Sequence, residues 1–364
     1  MITLQPYNQT IKADVLNNLD STNPAGTPPS SVINITGDIV QGGVVSLTPT
    51  VGSFGDFGGV VRQYTKGDEE LSGTPITLGT PTLGTQSLST TVVGLGDDTG
   101  GEHLTFDTTQ LRTGRTGSLR RTRESAVDST ERNGGFGYTS NNADPFLYVS
   151  YFRRFQSDPY SIQDANMKQY YIYSNGGVSE LPQNLLICGA GESSWSSYDN
   201  VGFHDINNTK GWSIPDDLDF HRWESHMFLN APGDFDGYVK VYRDNELGID
   251  SGLLDWQNAG NTPPATGWDD VRIGYYDRNI PKAIVDFTDV YIATTPARVE
   301  LGNAPTWEAC THTELQAIPE TEWLGSNITN VTLDKGGLSS ITGSYLYVIK
   351  ANGTPYSTAG ELLL

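Results

Sequence analysis

Arg222, His226 and Tyr276 are residue types that a β-elimination requires. Such a reaction needs a cation to neutralise a carboxylate, a base for the neighbouring carbon-bound proton and an acid for the departing oxygen. An overlapping set, Tyr171, Tyr173, Arg222, Tyr242 and Tyr276, suits a different task. Tyrosine rings stack on the C–H faces of sugars, and guanidinium groups pair with their hydroxyls. The same tyrosines also fit a plainer role as strand formers. Glu224 invites comparison with glycoside hydrolysis, which needs two carboxylates about 5–10 Å apart. Its own strand offers no acidic neighbour on the same face. Asp234 and Asp236 in GDFDG, with Asp216, Asp217 and Asp219 upstream, provide hard oxygen ligands of the kind calcium takes. Neither group has the twelve-residue calcium loop, and an Asp-Gly turn accounts for the first. His103, His204, His221 and His312 are scattered without zinc-ligand spacing. No glycine-rich phosphate loop leads from a strand into a helix.

These side chains need strands to position them. Side chains alternate across a strand, so each segment divides into two faces. In HRWESHMFLN (221–230), Trp223, Met227 and Leu229 share one face with Ser225, and Arg222, Glu224, His226 and Phe228 share the other. In DGYVKVYRDN (236–245), Val239 and Val241 oppose Tyr238, Lys240 and Tyr242. In DDVRIGYYDR (269–278), Val271 and Ile273 oppose Arg272 and Tyr276, while Tyr171 and Tyr173 share a face of KQYYIYS. LYVSYFRRF (147–155) and AIVDFTDVYIA (283–293) complete the set. One face of each strand is expected to pack on a second sheet, and the other to meet ligand.

The whole chain agrees with this reading. It has 364 residues, with 41 Gly and 19 Pro, and no window carries sustained helical periodicity with caps. An all-β protein with many short strands is predicted. The net charge of −21 repels phosphate backbones and anionic lipid, so no nucleic acid and no membrane partner is expected. Five arginines, Arg112, Arg115, Arg120, Arg121 and Arg123, stand out in so acidic a chain. They form either a docking patch for an acidic partner or anionic sugar or, more simply, a solvated strand pair salt-bridged to local carboxylates. Cys188 and Cys310 are too few for a disulfide framework, although one bridge between them is open.

The order LYVSYFRR, then WES, then DGYVKVYRDN, then IGYY, then the strand leading to YIAT resembles a concanavalin-like jelly roll. Laminin-G modules and several polysaccharide lyases carry that fold. The Gln-Ile-His and Tyr-Phe-Lys-Ala-Gly motifs of alginate lyases are absent. VINITGDIVQGGVVSLTPTVGSFG near the start, and TEWLGSNIT through YLYVIKANGTPYS near the end, resemble small immunoglobulin-like (TIG-type) modules. Such modules are appended to jelly rolls in bacterial and phage surface proteins. The expected organisation is an N-terminal arm (1–30), a small β module (31–100), a jelly roll (101–305) and an Ig-like module (306–364). The N-terminal stretch MITLQPYNQTIKADVLNNLD lacks the basic start and apolar core of a secretory signal.

Together these features lead to the expectation of a virion-surface protein of a tailed bacteriophage: a capsid decoration, fibre or tail-associated subunit. Its arm would dock on other virion proteins, its jelly roll would face a cell-surface glycan, and it would form a homo-oligomer. No cofactor is expected beyond a structural calcium that the laminin-G resemblance keeps open. The alternatives are a polysaccharide lyase using Arg222, His226 and Tyr276, and a bacterial extracellular or cell-surface glycan-binding protein.

Overall fold

A computed structural model describes residues 31–67, 81–83, 91–96, 102–123, 132–156, 166–173, 183–189, 192–198, 203–207, 218–255, 267–278 and 283–364. For several strands between 81 and 283 the description covers the backbone alone. The predicted all-β class holds. Among the described residues, helix is confined to two 3-10 turns, Trp307–Ala309 and Glu320–Glu322.

Two eight-stranded antiparallel sheets form the centre. The front sheet runs Glu246–Asp250, Tyr238–Arg243, His221–Phe228, Phe146–Phe155, Ala283–Ala293, Ser118–Arg123 and Glu102–Asp107, with Val61–Thr65 also paired to Ala283–Ala293. The back sheet contains Asn166–Tyr173 and Trp268–Arg278 as neighbours, flanked by Gln183–Gly189 and Arg132–Asp144. Their shared core follows the alternation in the sequence. Trp223, Met227, Val239, Val241, Val149 and Tyr151 of the front sheet meet Trp268, Val271 and Ile273 of the back sheet. Burial of these side chains, at about 25 cal/mol per Å² of apolar surface, holds the sandwich together.

The two small modules expected at opposite ends of the chain are one body. Ile33–Gly37 pairs with Val44–Pro49, which pairs in turn with Ile328–Thr332, nearly 300 residues later. A four-stranded sheet of Thr313–Gln316, Arg298–Gly302, Tyr345–Ile349 and Glu361–Leu362 packs on these three strands. Ile33, Leu47, Phe54, Val299, Leu301, Ile328 and Leu346 lie in a single core. The boundary expected at 305/306 also moves, because Arg298–Gly302 already belongs to this second body, here called the cap. The chain therefore begins its described part in the cap, threads the sandwich and returns. Gly42 and Gly353, both with positive φ, close hairpin-like returns in the cap.

Ion pairs between distant segments rivet the cap to the front sheet. Arg112 and Arg115 are buried, contrary to a docking patch or a solvated strand face. Arg112 Nη1 donates to Asp289 Oδ2 at 2.7 Å and Arg112 also pairs with Glu314. Arg115 Nε donates to Asp289 Oδ1 at 2.8 Å, and its Nη1 to Asp334 Oδ2 at 2.9 Å. Asp289 reaches both arginines because it sits at a bulge, with φ +52°, where the register of Ala283–Ala293 shifts against Phe146–Phe155. Burial would raise the Asp289 carboxyl, but the two guanidinium groups override it and hold it low. Arg120 pairs within the front sheet, donating from Nε to Asp286 Oδ1 at 2.8 Å, and Arg121 is buried. The side chain of Arg123 lies outside the described residues.

Candidate functional site

Strand His221–Phe228 turns its polar row away from the core as the alternation requires. Register places His226 between Tyr148 and Lys240, and Glu224 between Ser150 and Tyr242. Strands Arg298–Gly302 and Thr313–Gln316 of the cap then cover the first half of that row.

This corrects the expectation for Arg222, which is only 2% exposed. Its guanidinium donates to both oxygens of Glu300, at 2.8 and 2.7 Å, to Thr313 Oγ1 at 2.5 Å, and to the Tyr148 hydroxyl at 3.1 Å. Arg298 Nε donates to Glu300 Oε1 at 2.6 Å, and its Nη2 reaches Glu224 Oε1 at 3.4 Å. The Tyr148 hydroxyl also donates to Glu224. Two arginines and two glutamates thus neutralise each other beneath the cap. Burial works against Glu300, yet Arg222 and Arg298 hold its carboxyl at about 2. Arg222 has no donor capacity left for a substrate carboxylate.

Beyond the covered part, a pocket of about 90 Å³ remains open. Glu224, His226 and Tyr242 line it from the front sheet, Asn245 from the following turn, and Arg298 and Trp307 from the cap. The His226 ring meets Tyr148 edge-on at 5.0 Å and Tyr242 at 5.4 Å. The Arg298 guanidinium lies 4.7 Å above Tyr148 and 5.8 Å from Trp307. Burial first, then the positive charges of Arg298, Lys240 and Arg222, lower His226 to about 3. At neutral pH the pocket offers an uncharged imidazole, an amide and the half-buried rings of Tyr242 and Trp307. That is equipment for hydrogen bonding and stacking. A histidine titrating near 3 is a feeble base at neutral pH.

The remaining predicted site residues are elsewhere. Tyr171 and Tyr173 lie on Asn166–Tyr173 and Tyr276 on Trp268–Arg278, both strands of the back sheet; their side chains lie outside the described residues. The sandwich core separates that sheet from the outer face bearing Arg222 and His226, so the elimination trio is not assembled. Asp234 and Asp236 are exposed in a turn pinned by Asn230, whose Nδ2 donates to Asp234 O at 2.9 Å and Asp255 Oδ1 at 2.8 Å. Among the described residues no group of three or more His, Cys, Asp or Glu is placed to hold a metal. Cys310 is a buried free thiol, so it is not bridged to Cys188.

Arg298, Glu300, Asn245 and Trp307 were not singled out from the sequence. The one available signal was RVELG (298–302), where Arg298 and Glu300 share a face of an otherwise apolar strand. Trp307 sits on a single 3-10 turn that no periodicity announces.

No family model and no curated protein matches this chain. Among solved structures, it is similar to an endo-β-1,4-glucuronan lyase from the fungus Trichoderma reesei, at TM-score 0.41 and 11% identity over 55% of this chain and 90% of that one. A marine alginate lyase from Aplysia kurodai gives 0.39 and 13% over 55% and 89%. The cellulose-induced protein Cip1 gives 0.37 and 16% over 56% and 90%. Superpositions this loose leave function to be read from this chain's own residues.

Proposed function

We propose that this chain is a glycan-binding protein of a tailed-phage particle surface, and that it takes sugar in the pocket between Tyr242 and Trp307. One observation carries the binding role. Two half-buried rings flank a pocket whose charges are cancelled internally and whose histidine is held neutral. Sugars present apolar C–H faces and many hydroxyls, and such a lining satisfies both at little desolvation penalty. The same features disfavour β-elimination, since Arg222 is committed to Glu300 and His226 is a weak base.

The particle setting rests on the resemblance, in sequence alone, of the jelly-roll segments and of the segments at 32–55 and 321–357 to modular phage surface proteins. In this reading segment 1–30 docks on other virion proteins, and the chain acts as a homo-oligomer. A glycan array probed with the labelled protein, followed by calorimetry on Tyr242→Ala and Trp307→Ala, tests the binding role. Loss in both supports it, and unchanged binding in both removes it. Labelled antibody on intact particles tests the setting.

A further inference from the structure

A second, larger cleft lies on the other side of the turn that bounds the proposed sugar pocket. It has a volume of about 430 Å³, and Phe152, Phe220, His221, Asp244, Asp219 and His312 are among its walls. That volume is in the range of small-molecule sites, about 300–1,000 Å³, whereas the 90 Å³ pocket holds only part of a ring. The two are not independent. Asp244 faces the larger cleft and Asn245 the smaller, and both residues line a gap of about 10 Å³ between them. A gap of that size admits about one water, so a ligand spanning both must pass over the turn.

The turn is built to stay in place. Asp244 and Asn245 adopt φ of +50° and +65°, the left-handed pair of a tight hairpin. Asp244 Oδ1 accepts the Arg222 backbone N–H at 2.9 Å, and Asn245 Oδ1 accepts the Thr313 hydroxyl at 3.2 Å. Each histidine of the larger cleft is oriented by a carboxylate, His221 Nδ1 by Asp244 Oδ2 at 2.5 Å and His312 Nε2 by Glu314 Oε1 at 2.6 Å. The cleft thus combines fixed polar groups with the rings of Phe152 and Phe220. Among the described residues its walls carry the carboxylates Asp219 and Asp244 against one arginine, Arg112, which is committed to Asp289 and Glu314. In a chain of net charge −21 this lining repels polyanions.

We infer that the seam between front sheet and cap is a two-subsite groove for an uncharged or amino-bearing oligosaccharide, with the Asp244–Asn245 turn as the saddle between subsites. This deepens the proposed function and rests on it, since the smaller pocket is the first subsite. A linear saccharide long enough to cross the saddle gains contacts that a disaccharide lacks.

The test is calorimetric titration with cello-, xylo- and chito-oligosaccharides of two to six units, plus an oligouronate series. Affinity is expected to rise about tenfold or more between two and six units in one neutral or amino series, as roughly 1.4 kcal/mol of added contact requires. Phe220→Ala and His312→Ala should each collapse that difference, with thermal midpoints recorded to confirm folding. Equal affinity at all lengths, dependent on Tyr242, overturns the groove and leaves the sugar pocket standing. Preference for oligouronates also overturns it. No binding by any series, alongside an empty glycan array, removes both readings together.

Discussion

Arg222 and Glu300 meet as a fork on a fork, two parallel N–H···O bonds at 2.8 and 2.7 Å, across the seam between front sheet and cap. Both groups are buried, and their sequence separation is 78 residues. Such a pair fixes register and orientation through geometry as well as charge.

Its removal should be felt in stability. Breaking a buried pair from one side strands a charge, at about 3–5 kcal/mol. Arg222→Met and Glu300→Met should each lose that much in urea unfolding. The double variant should lose clearly less than the sum, since neither charge is then orphaned. Additive losses would show that the two groups act separately.

Acid should loosen the same seam in two stages. His226 titrates at about 3 when folded against 6.5 in its ordinary state, so below about pH 6.5 the unfolded chain binds a proton the folded one refuses. Stability therefore falls as pH drops from about 6.5 towards 3. Glu300, held at about 2 against 4.5, contributes stability that is full above about 4.5 and is lost as pH falls through 2. Thermal midpoints measured against pH should decline from about 6.5 downward. His226→Phe should flatten the upper part of that decline and leave the lower part.

Gly114 is a local test of how the cap is seated. Its φ is +82°, and an added Cβ would lie 2.0 Å from the carbonyl oxygen of Gly336 in the cap. Gly42 shares the positive φ, at +74°, but faces open space. Gly42→Ala should cost about 1–2 kcal/mol from backbone strain alone. Gly114→Ala should cost more, because backbone on both sides must part. Equal losses would mean the seam yields freely.

In the pocket, Tyr242→Ala and Trp307→Ala should each weaken glycan binding about tenfold, or roughly 1.4 kcal/mol. Tyr242→Phe should keep most of the stacking and separate the ring from its hydroxyl. Isothermal titration with the strongest array ligand measures both.

Much of the sandwich was legible because alternation within a strand is local information. Trp223, Met227, Val239 and Val241 read as one side of two strands and are buried together. The polar side of the same strands was read correctly as facing away from that core, but its fate was not. Whether Arg222 meets solvent or Glu300 depends on a strand 78 residues on, and a single strand's pattern carries no record of a remote partner. The arginines near 112 illustrate the same gap, since their carboxylates stand at 289, 314 and 334. Pairing of Val44–Pro49 with Ile328–Thr332 is equally nonlocal, so two motif-like ends read as two modules. Trp307 was missed for another reason: a lone ring on a short turn has no periodicity to betray it.

The sharing of one core by strands near residues 33 and 328 has a consequence for biosynthesis. As the polypeptide leaves the ribosome, Ile33–Gly37 and Val44–Pro49 must wait for their third strand through on the order of tens of seconds of elongation. The central sandwich can mature first, carried between two unfinished edges. Closure of the clasp comes last, and only a chain translated through Ile328–Thr332 can lock.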